Sequence, residues 1–374
     1  MKLRKDKWEK VLIENVCEDI FAGGDVPKNS FSKVATPEFK IPIYSNGLEN
    51  LGLHGFTNIS KVSKPSLTIS ARGTIGNIVV RKESYYPVVR LIVLVPNERK
   101  ADVDFLNYSL CLHNFFSVGT SIPQLTVPMV KPIEIPLPPL EEQKQIAALF
   151  QSIDTATEEI EGQEKNLLNL KNKLLGELCG EKQQFGKALN KDDFETVKFD
   201  SVAFCISERV EPQKTDLTTY VGLEHLDPDN LVIARTGIPD DVIGTKLKIY
   251  KGDIIFGKRR AYQRKVAVSH FDGIASAHSM ILRANEDNIE KDFLPFFMQS
   301  DVFMNRAIKI SEGSLSPTIK WKTLAAQEFS LPKKEKQKEL TAVFKQFDVT
   351  RGQLKQQKTT LQNLKQKLLN EILG

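Results

Sequence analysis

The chain has 374 residues, 26% of them charged, and a formal net charge of +5. That leaves room for two ordinary domains plus extended helices, and the mild basicity permits a nucleic-acid partner without demanding one. The longest apolar run, Val88 to Val95, is too short to span a bilayer, and no apolar signal core follows Met1-Lys2-Leu3-Arg4-Lys5. Cys17, Cys111, Cys179 and Cys205 stand far apart without metal or redox spacing, so a cytoplasmic protein without a disulfide framework is expected.

In chain order, residues 1–135 read as a globular α/β-type segment opening on Trp8-Glu9-Lys10-Val11. Its β-rich runs are Ser66 to Ile69, Ile75 to Val80 and Val88 to Val95, and a helix starts at Asp104-Phe105-Leu106. It closes on the polar loop Gly119-Thr120-Ser121-Ile122-Pro123-Gln124. Residues 136–180 follow as a long helix: Pro136, Pro138 and Pro139 bar helix upstream, and Glu141-Glu142 suit a first turn. Residues 181–329 form a second segment of the same plan. It opens on Phe194-Glu195-Thr196-Val197, with strands at Asp253 to Phe256 and Val266 to Ser269, a helix from Asp292-Phe293-Leu294, and a closing loop Gly313-Ser314-Leu315-Ser316-Pro317-Thr318. Residues 330–374 are a second long helix.

That last helix is a copy of the first. Pro136 to Gly180 aligns without a gap onto Ser330 to Gly374, a shift of about 194 positions, with about 18 of some 45 pairs identical. Glu141, Gln143 and Lys144 match Glu335, Gln337 and Lys338, and the two closing loops stand at the same shift. Ile146, Ile153, Ile160, Leu167 and Leu174 recur every seven residues, as do Leu340, Phe347, Leu354, Leu361 and Leu368. The intermediate positions are Leu149, Ala156, Gln163 and Leu170 in one helix and Val343, Thr350, Gln357 and Leu364 in the other. This predicts a coiled-coil seam over helices of about 38 residues, roughly 57 Å long. The first helix segment holds about 4 basic and 8 acidic residues and the second about 10 basic and 4 acidic, which favours pairing of the two with each other. Gln163 and Gln357 either face each other across an antiparallel pair and fix its register, or lie solvated at the seam edge.

With these features in place the chain resembles a known family, the specificity subunits of type I restriction–modification systems. The resemblance rests on Ile135-Pro136-Leu137-Pro138-Pro139-Leu140-Glu141-Glu142-Gln143 before the first helix and on Leu331-Pro332-Lys333-Lys334-Glu335-Lys336-Gln337 before the second. It extends to Ser70-Ala71-Arg72-Gly73-Thr74-Ile75-Gly76-Asn77 and Gly252-Asp253-Ile254-Ile255-Phe256-Gly257-Lys258, and to the domain–helix–domain–helix order of the whole chain. Lys333-Lys334 depart from the Pro-Leu of the first junction, so a less rigid second junction is expected. The resemblance implies an α+β architecture: two target recognition domains, separated and joined by repeated helices in an antiparallel coiled coil with an internal pseudo-twofold. It also implies a non-catalytic reader of double-stranded DNA in two half-sites, which scaffolds methyltransferase subunits, two of them, and in some systems restriction subunits. S-adenosylmethionine would then belong to the methyltransferase subunit, ATP and Mg to a nuclease subunit, and none to this chain. The complex would be an adenine-N6 DNA methyltransferase and, with a nuclease subunit, an ATP-dependent endonuclease.

Half-sites read from one face of B-DNA lie about one turn apart, roughly 34 Å, or a near multiple. In the second domain the basic cluster Lys258, Arg259, Arg260, Tyr262 and Arg264 is the leading candidate for DNA contact, with Ser314, Thr318 and Lys320 in the closing loop beside it. In the first domain Arg72, Thr74 and Asn77 occupy a glycine-bracketed turn, and Ser121 and Gln124 lie in the other loop; glutamine can read adenine. Each also has a plainer reading as solvated loop. Gly252 to Lys258 has the spacing of a phosphate-binding loop, but Arg259 stands where Ser or Thr should hold magnesium. His225 and His278 lack the companions of a metal or acyl-transfer site, and no methyltransferase cofactor fingerprint is present. Two rival readings are a free-standing two-domain regulator and a structural coiled-coil scaffold. Apolar residues off the seam (Phe150, Leu175, Leu178, Phe344, Leu369, Ile372) either dock a partner subunit or pack onto the chain's own domains.

Overall fold

The computed structural model describes residues 5–115, 124–179 and 189–374. The elements run β1 (Glu9–Leu12), α1 (Ile13–Val16), β2 (Cys17–Ala22), β3 (Ile41–Tyr44), β4 (Leu53–Thr57), β5 (Ser66–Ser70), β6 (Ile78–Arg81), β7 (Tyr86–Pro87), β8 (Leu91–Pro96), α2 (Val103–Cys111), α3 (Val127–Val130), β9 (Glu134–Leu137) and the long α4 (Leu140–Cys179). They continue with β10 (Phe194–Lys198), α5 (Phe199–Val202), β11 (Ala203–Ile206), β12 (Arg209–Val210), β13 (Tyr220–Val221), β14 (Lys246–Ile249), β15 (Ile254–Phe256), β16 (Val266–Val268), β17 (Gly273–Ala275) and β18 (Met280–Ala284). Last come α6 (Phe293–Gln299), α7 (Asp301–Lys309), α8 (Trp321–Ala325), β19 (Glu328–Pro332) and α9 (Lys334–Leu373). The α+β class and the repeated plan hold, and both long helices have 40 residues.

Packing divides the chain into two units that do not follow the helix boundaries. One comprises Met1–Ile160 with Gln356–Gly374, the other Glu161–Lys355. Each unit therefore contains one globular domain and a half of each long helix.

In the first unit the main sheet has the order β2-β8-β5-β6, all antiparallel. β8 (Leu-Ile-Val-Leu-Val-Pro) is buried along its whole length because both faces are covered, which is why it reads as a continuous apolar run rather than an alternating one. Ile92 and Leu94 face the main core, while Val93 and Val95 join Val62 and Tyr85 on the other side. The predicted Val88 to Val95 strand is shortened by Arg90, whose φ of 76° breaks the extended backbone. The second unit repeats the sheet as β11-β18-β15-β16, with Ile254, Phe256, Met280 and Leu282 in its main core and Ile255 and Ile281 on the opposite face. Each domain is closed by a two-stranded sheet joining its start to its end, β1 with β9 and β10 with β19.

The junctions between domains and helices are matched. Gln143, fully buried, donates to the carbonyls of Pro138 (2.8 Å) and Lys100 (3.0 Å) and accepts from the Asp102 amide (2.9 Å). Its copy Gln337 donates to Pro332 O (2.8 Å) and accepts from the Glu290 amide (2.7 Å). Both satisfy backbone groups that would otherwise be buried unpaired. The Lys333-Lys334 departure leaves this lock intact.

Within the first unit the beginning of α4 meets the end of α9. Ile146, Ala147, Phe150 and Ile153 share the domain core with Leu369, Ile372 and Leu373. In the second unit the end of α4 meets the beginning of α9, with Leu175 and Leu178 beside Leu340 and Phe344. The pairing is antiparallel in both. Of the seam residues, Ile146, Ile153 and Leu340 are buried; Ile160, Leu167, Leu174, Phe347, Leu354, Leu361 and Leu368 are half-buried. The intermediate positions correct the seam: Gln163, Leu170, Val343, Gln357 and Leu364 are exposed. The off-seam residues Phe150, Leu175, Leu178, Phe344, Leu369 and Ile372 are buried in the domain cores instead, because each helix gives one face to its sibling and another to a globular domain.

Two lysine–aspartate pairs stand at repeat-equivalent places. Lys365 pairs with Asp154 (2.5 Å) over the ring of Tyr108, whose hydroxyl donates to the same carboxylate (2.9 Å). Lys171 pairs with Asp348 (2.6 Å), lies over Phe296 and donates to Gln299 Oε1 (3.0 Å). Arg351 adds an ion pair to Glu164 (3.1 Å), in the direction that the helix charges favour.

Candidate nucleic-acid interface

The candidate residues of the two domains fall on the same piece of scaffold. In the first unit the chain leaves β5, turns through Arg72-Gly73-Thr74-Ile75-Gly76-Asn77 and returns as β6. The turn is closed by Ser70 N–H to Asn77 O (2.9 Å), with Gly73 (φ 71°) and Gly76 (φ 81°) in the left-handed region that glycine tolerates. In the second unit β15 leads into Lys258–Lys265 and β16, closed by Gly257 N–H to Lys265 O (2.9 Å). Here Arg260 (φ 58°) and Arg264 (φ 54°) take the left-handed positions, a strained choice for side chains with a Cβ.

The residue that follows each closing loop docks on this turn. Leu125 N–H donates to Ala71 O (2.9 Å), and Ile319 N–H, at the same repeat position, donates to Lys258 O (3.0 Å). Arg72 and Arg259 thereby occupy corresponding sites. Arg72 Nε donates to Gln124 Oε1 (2.9 Å); Arg259 donates to Ser316 Oγ (3.0 Å) and lies 3.1 Å from His278 Nε2. Burial and then the Arg259 charge hold the His278 pKa below its ordinary value, so the neutral imidazole faces the guanidinium. Residues that the sequence put in separate motifs are thus neighbours: Arg72 with Gln124, and Arg259 with Thr318.

The remaining candidates separate by what their side chains do. Arg260 and Tyr262 (54% exposed) face solvent from the turn, and Ser314 is exposed on the closing loop. Lys258 is half-buried, and burial lowers its pKa. Lys320 is exposed and pairs with Glu312 (2.6 Å), while the Thr318 hydroxyl donates to Ser316 O (3.1 Å). Arg264 is engaged internally: it pairs with Asp229 (2.8 Å) and Asp301 (2.9 Å) and donates to Gln299 O (2.6 Å), so it anchors the turn. The Thr74 hydroxyl donates to Asn46 O (2.9 Å), and Asn77 is half-buried. Ser121 lies outside the described residues.

Asn46 was not singled out from the sequence, yet its Nδ2 donates to Arg72 O (2.7 Å) and ties a second loop to the turn. Ser45-Asn46-Gly47 is a turn signal, but nothing in it names its partner. The Gly252–Lys258 stretch holds a buried strand, and its Asp253 accepts from two Arg283 nitrogens, Nε (2.8 Å) and Nη2 (3.0 Å), which is no anion cradle. His225 Nδ1 accepts from the Gly222 amide (3.0 Å), a local structural bond. Among the described residues no group of three His, Cys, Asp or Glu could hold a metal ion, and no helix is long and apolar enough to cross a membrane.

This duplicated domain, with a long helix after each copy, defines a class. The family model described as the type I restriction modification DNA specificity domain matches residues 5–170 and 227–363, and the chain belongs to that family. A Mycoplasma pneumoniae protein named as a type I specificity subunit is 34% identical over 150 residues, covering 40% of this chain and 44% of its own. The chain thus spans less than half of that relative. The specificity subunit of the type I restriction enzyme MjaVIII from Methanocaldococcus jannaschii is 25% identical over 306 residues, 76% of this chain and 72% of the relative. The crystal structure of a type I restriction–modification S subunit from M. genitalium superposes with a TM-score of 0.61 at 16% identity, covering 99% of this chain and 97% of that one, and shows the same fold.

Proposed function

We propose that the chain is the non-catalytic DNA reader of a type I complex, taking one half of a split target in each recognition domain. The observation that carries this is one turn-and-loop frame built twice with different side chains. One frame offers Arg72 and Gln124, the other Arg259, Arg260, Tyr262 and Thr318. A shared frame suits a common way of approaching the duplex through phosphate contacts; different side chains suit different bases. Arginine pairs with guanine and glutamine with adenine in the major groove.

The same chain would hold its catalytic partners through the helix faces left open. In the second unit Leu170 and Val343 are 48% and 40% exposed, and a cavity of about 340 Å³ runs between Leu167, Val343, Phe347 and Thr350. In the first unit Leu364 is 43% exposed. Apolar helix surface of this kind favours a docked subunit over a free-standing regulator. The methyl donor, S-adenosylmethionine, would sit on a methyltransferase subunit, and ATP and Mg on a nuclease subunit.

The test is a methylation map. The chain is co-expressed with a methyltransferase subunit encoded beside it, and genomic DNA is read by single-molecule sequencing with and without the chain. A split motif bearing an adenine mark in each half, present only with the chain, is expected. Marks that persist without the chain would end the reading.

A further inference from the structure

Each recognition domain carries a cavity at the same place in its fold, between the end of the edge strand, the central strand, the turn and the closing loop. In the first unit it measures about 560 Å³ and is lined by Arg72, Arg90 and Gln124 among others. In the second it measures about 320 Å³, and Gln124 and Thr126 are replaced by their repeat counterparts Thr318 and Lys320.

The second cavity has the chemistry of an anion site. Lys258, Arg209 and Lys320 line it, and no carboxylate does. Lys320 has Glu312 for company, but the ammonium of Lys258 and the guanidinium of Arg209 have no acceptor among the described residues. A half-buried cation without a counter-ion is costly, and the neighbouring Arg209 raises that cost. Ser279 lines the same cavity, fully buried, and its hydroxyl has no hydrogen-bond partner among the described residues. A cation without a counter-ion and a buried hydroxyl without a partner, both on the lining of one cavity, are a deficit that an anion seated there would relieve.

Resting on the DNA-reading function above, we infer that this cavity seats a phosphate of the DNA backbone, held by Lys258 and Ser279 with Arg209 on its exposed side. The cavity lined by Arg90 is its counterpart in the other domain, with Arg72 beside it in the place that Arg259 takes here. The seat fixes each domain's position on the duplex and carries no base preference, which the neighbouring Arg259, Arg260 and Thr318 supply.

Because a phosphate contact is independent of sequence, any duplex reads it. The full chain is titrated with a labelled mixed-sequence duplex of about 40 base pairs over a salt series, as wild type, Lys258→Met and Arg209→Gln. Each substitution is expected to weaken binding roughly 5-fold near 0.1 M salt and to reduce the slope of log K against log salt by about one. Lys258→Met should melt no lower than wild type, since it removes a desolvated charge. Arg209 is exposed, so its variant tests the seat even if the lysine variant misfolds. Wild-type binding with unchanged affinity and slope in both variants overturns the seat and leaves the reading function standing. Absence of salt-dependent duplex binding by wild type overturns the function itself. In a parallel arm, inorganic phosphate at matched ionic strength is added during melting. If it stabilises wild type but not Lys258→Met, while duplex binding ignores Lys258, the cavity holds a free anion and the backbone assignment falls.

Discussion

Arginines no more than five residues apart do opposite jobs in this fold. Arg259 and Arg260 reach the surface beside the closing loop, whereas Arg264 spends its guanidinium on Asp229, Asp301 and a backbone carbonyl. Replacing Arg259 and Arg260 with Ala should therefore lower duplex affinity and leave the melting temperature nearly unchanged. Arg264→Ala leaves the mostly buried Asp229 without its cation and should cost about 2 kcal/mol, seen as a lower melting temperature. If the two sets of variants lose affinity and stability in parallel, the division of labour is wrong. The basic run was legible in the sequence as a candidate contact. Which of its members reads and which supports was not, because that depends on Asp229 and Asp301, each more than 30 residues from Arg264 along the chain. For the same reason the turn and the closing loop read as separate motifs in the sequence: hydrogen bonds such as that from Leu125 to Ala71 leave no local pattern.

At the level of elements, the heptad pattern predicted both helices to within about two residues of their length of 40, and the charge tally favoured their pairing with each other; the antiparallel sense followed from the resemblance. It could not say which face meets what. A helix that packs on its sibling and on a domain has two apolar faces, and heptad counting follows only one of them, leaving the off-seam residues open between a partner and the chain's own domains. That is why Leu170, Val343 and Leu364 emerge exposed while Phe150 and Phe344 are fully buried. Val343→Asp should accordingly leave the chain folded, with a change in stability under about 0.5 kcal/mol, and reduce co-purification with a methyltransferase subunit. Retained co-purification would place the partner elsewhere. The Lys171–Asp348 pair makes the converse point, since it is an interior contact between the helices. Lys171→Ala should cost about 3 kcal/mol, leaving Asp348 and Gln299 unsatisfied, whereas Lys171→Met with Asp348→Leu should recover most of that loss. A double variant no more stable than the single one would mean that the pair is needed for more than filling space.

For the whole chain, the consequence of antiparallel helices is that sequence order and folding units disagree. The final residues Leu369, Ile372 and Leu373 belong to the core that begins with Ile13 and Val16, and none of the residues of the second main core is shared with it. The repeat in the sequence announced two domains and two helices, but assigning the C-terminal end of the chain to the first domain requires the packing. Leu369→Ala and Ile372→Ala each remove a buried aliphatic side chain and should cost roughly 2–4 kcal/mol. The loss should fall on the first unit alone. Hydrogen exchange is the appropriate measurement, because a chain with two cores need not unfold in one step and a single melting temperature would average over both. Amides of β2, β5 and β8 are expected to lose protection in the double variant, while those of β11, β15 and β18 keep theirs. Loss confined to the second sheet would contradict the assignment of the C-terminus. Equal loss in both would mean that the two cores unfold as one cooperative body.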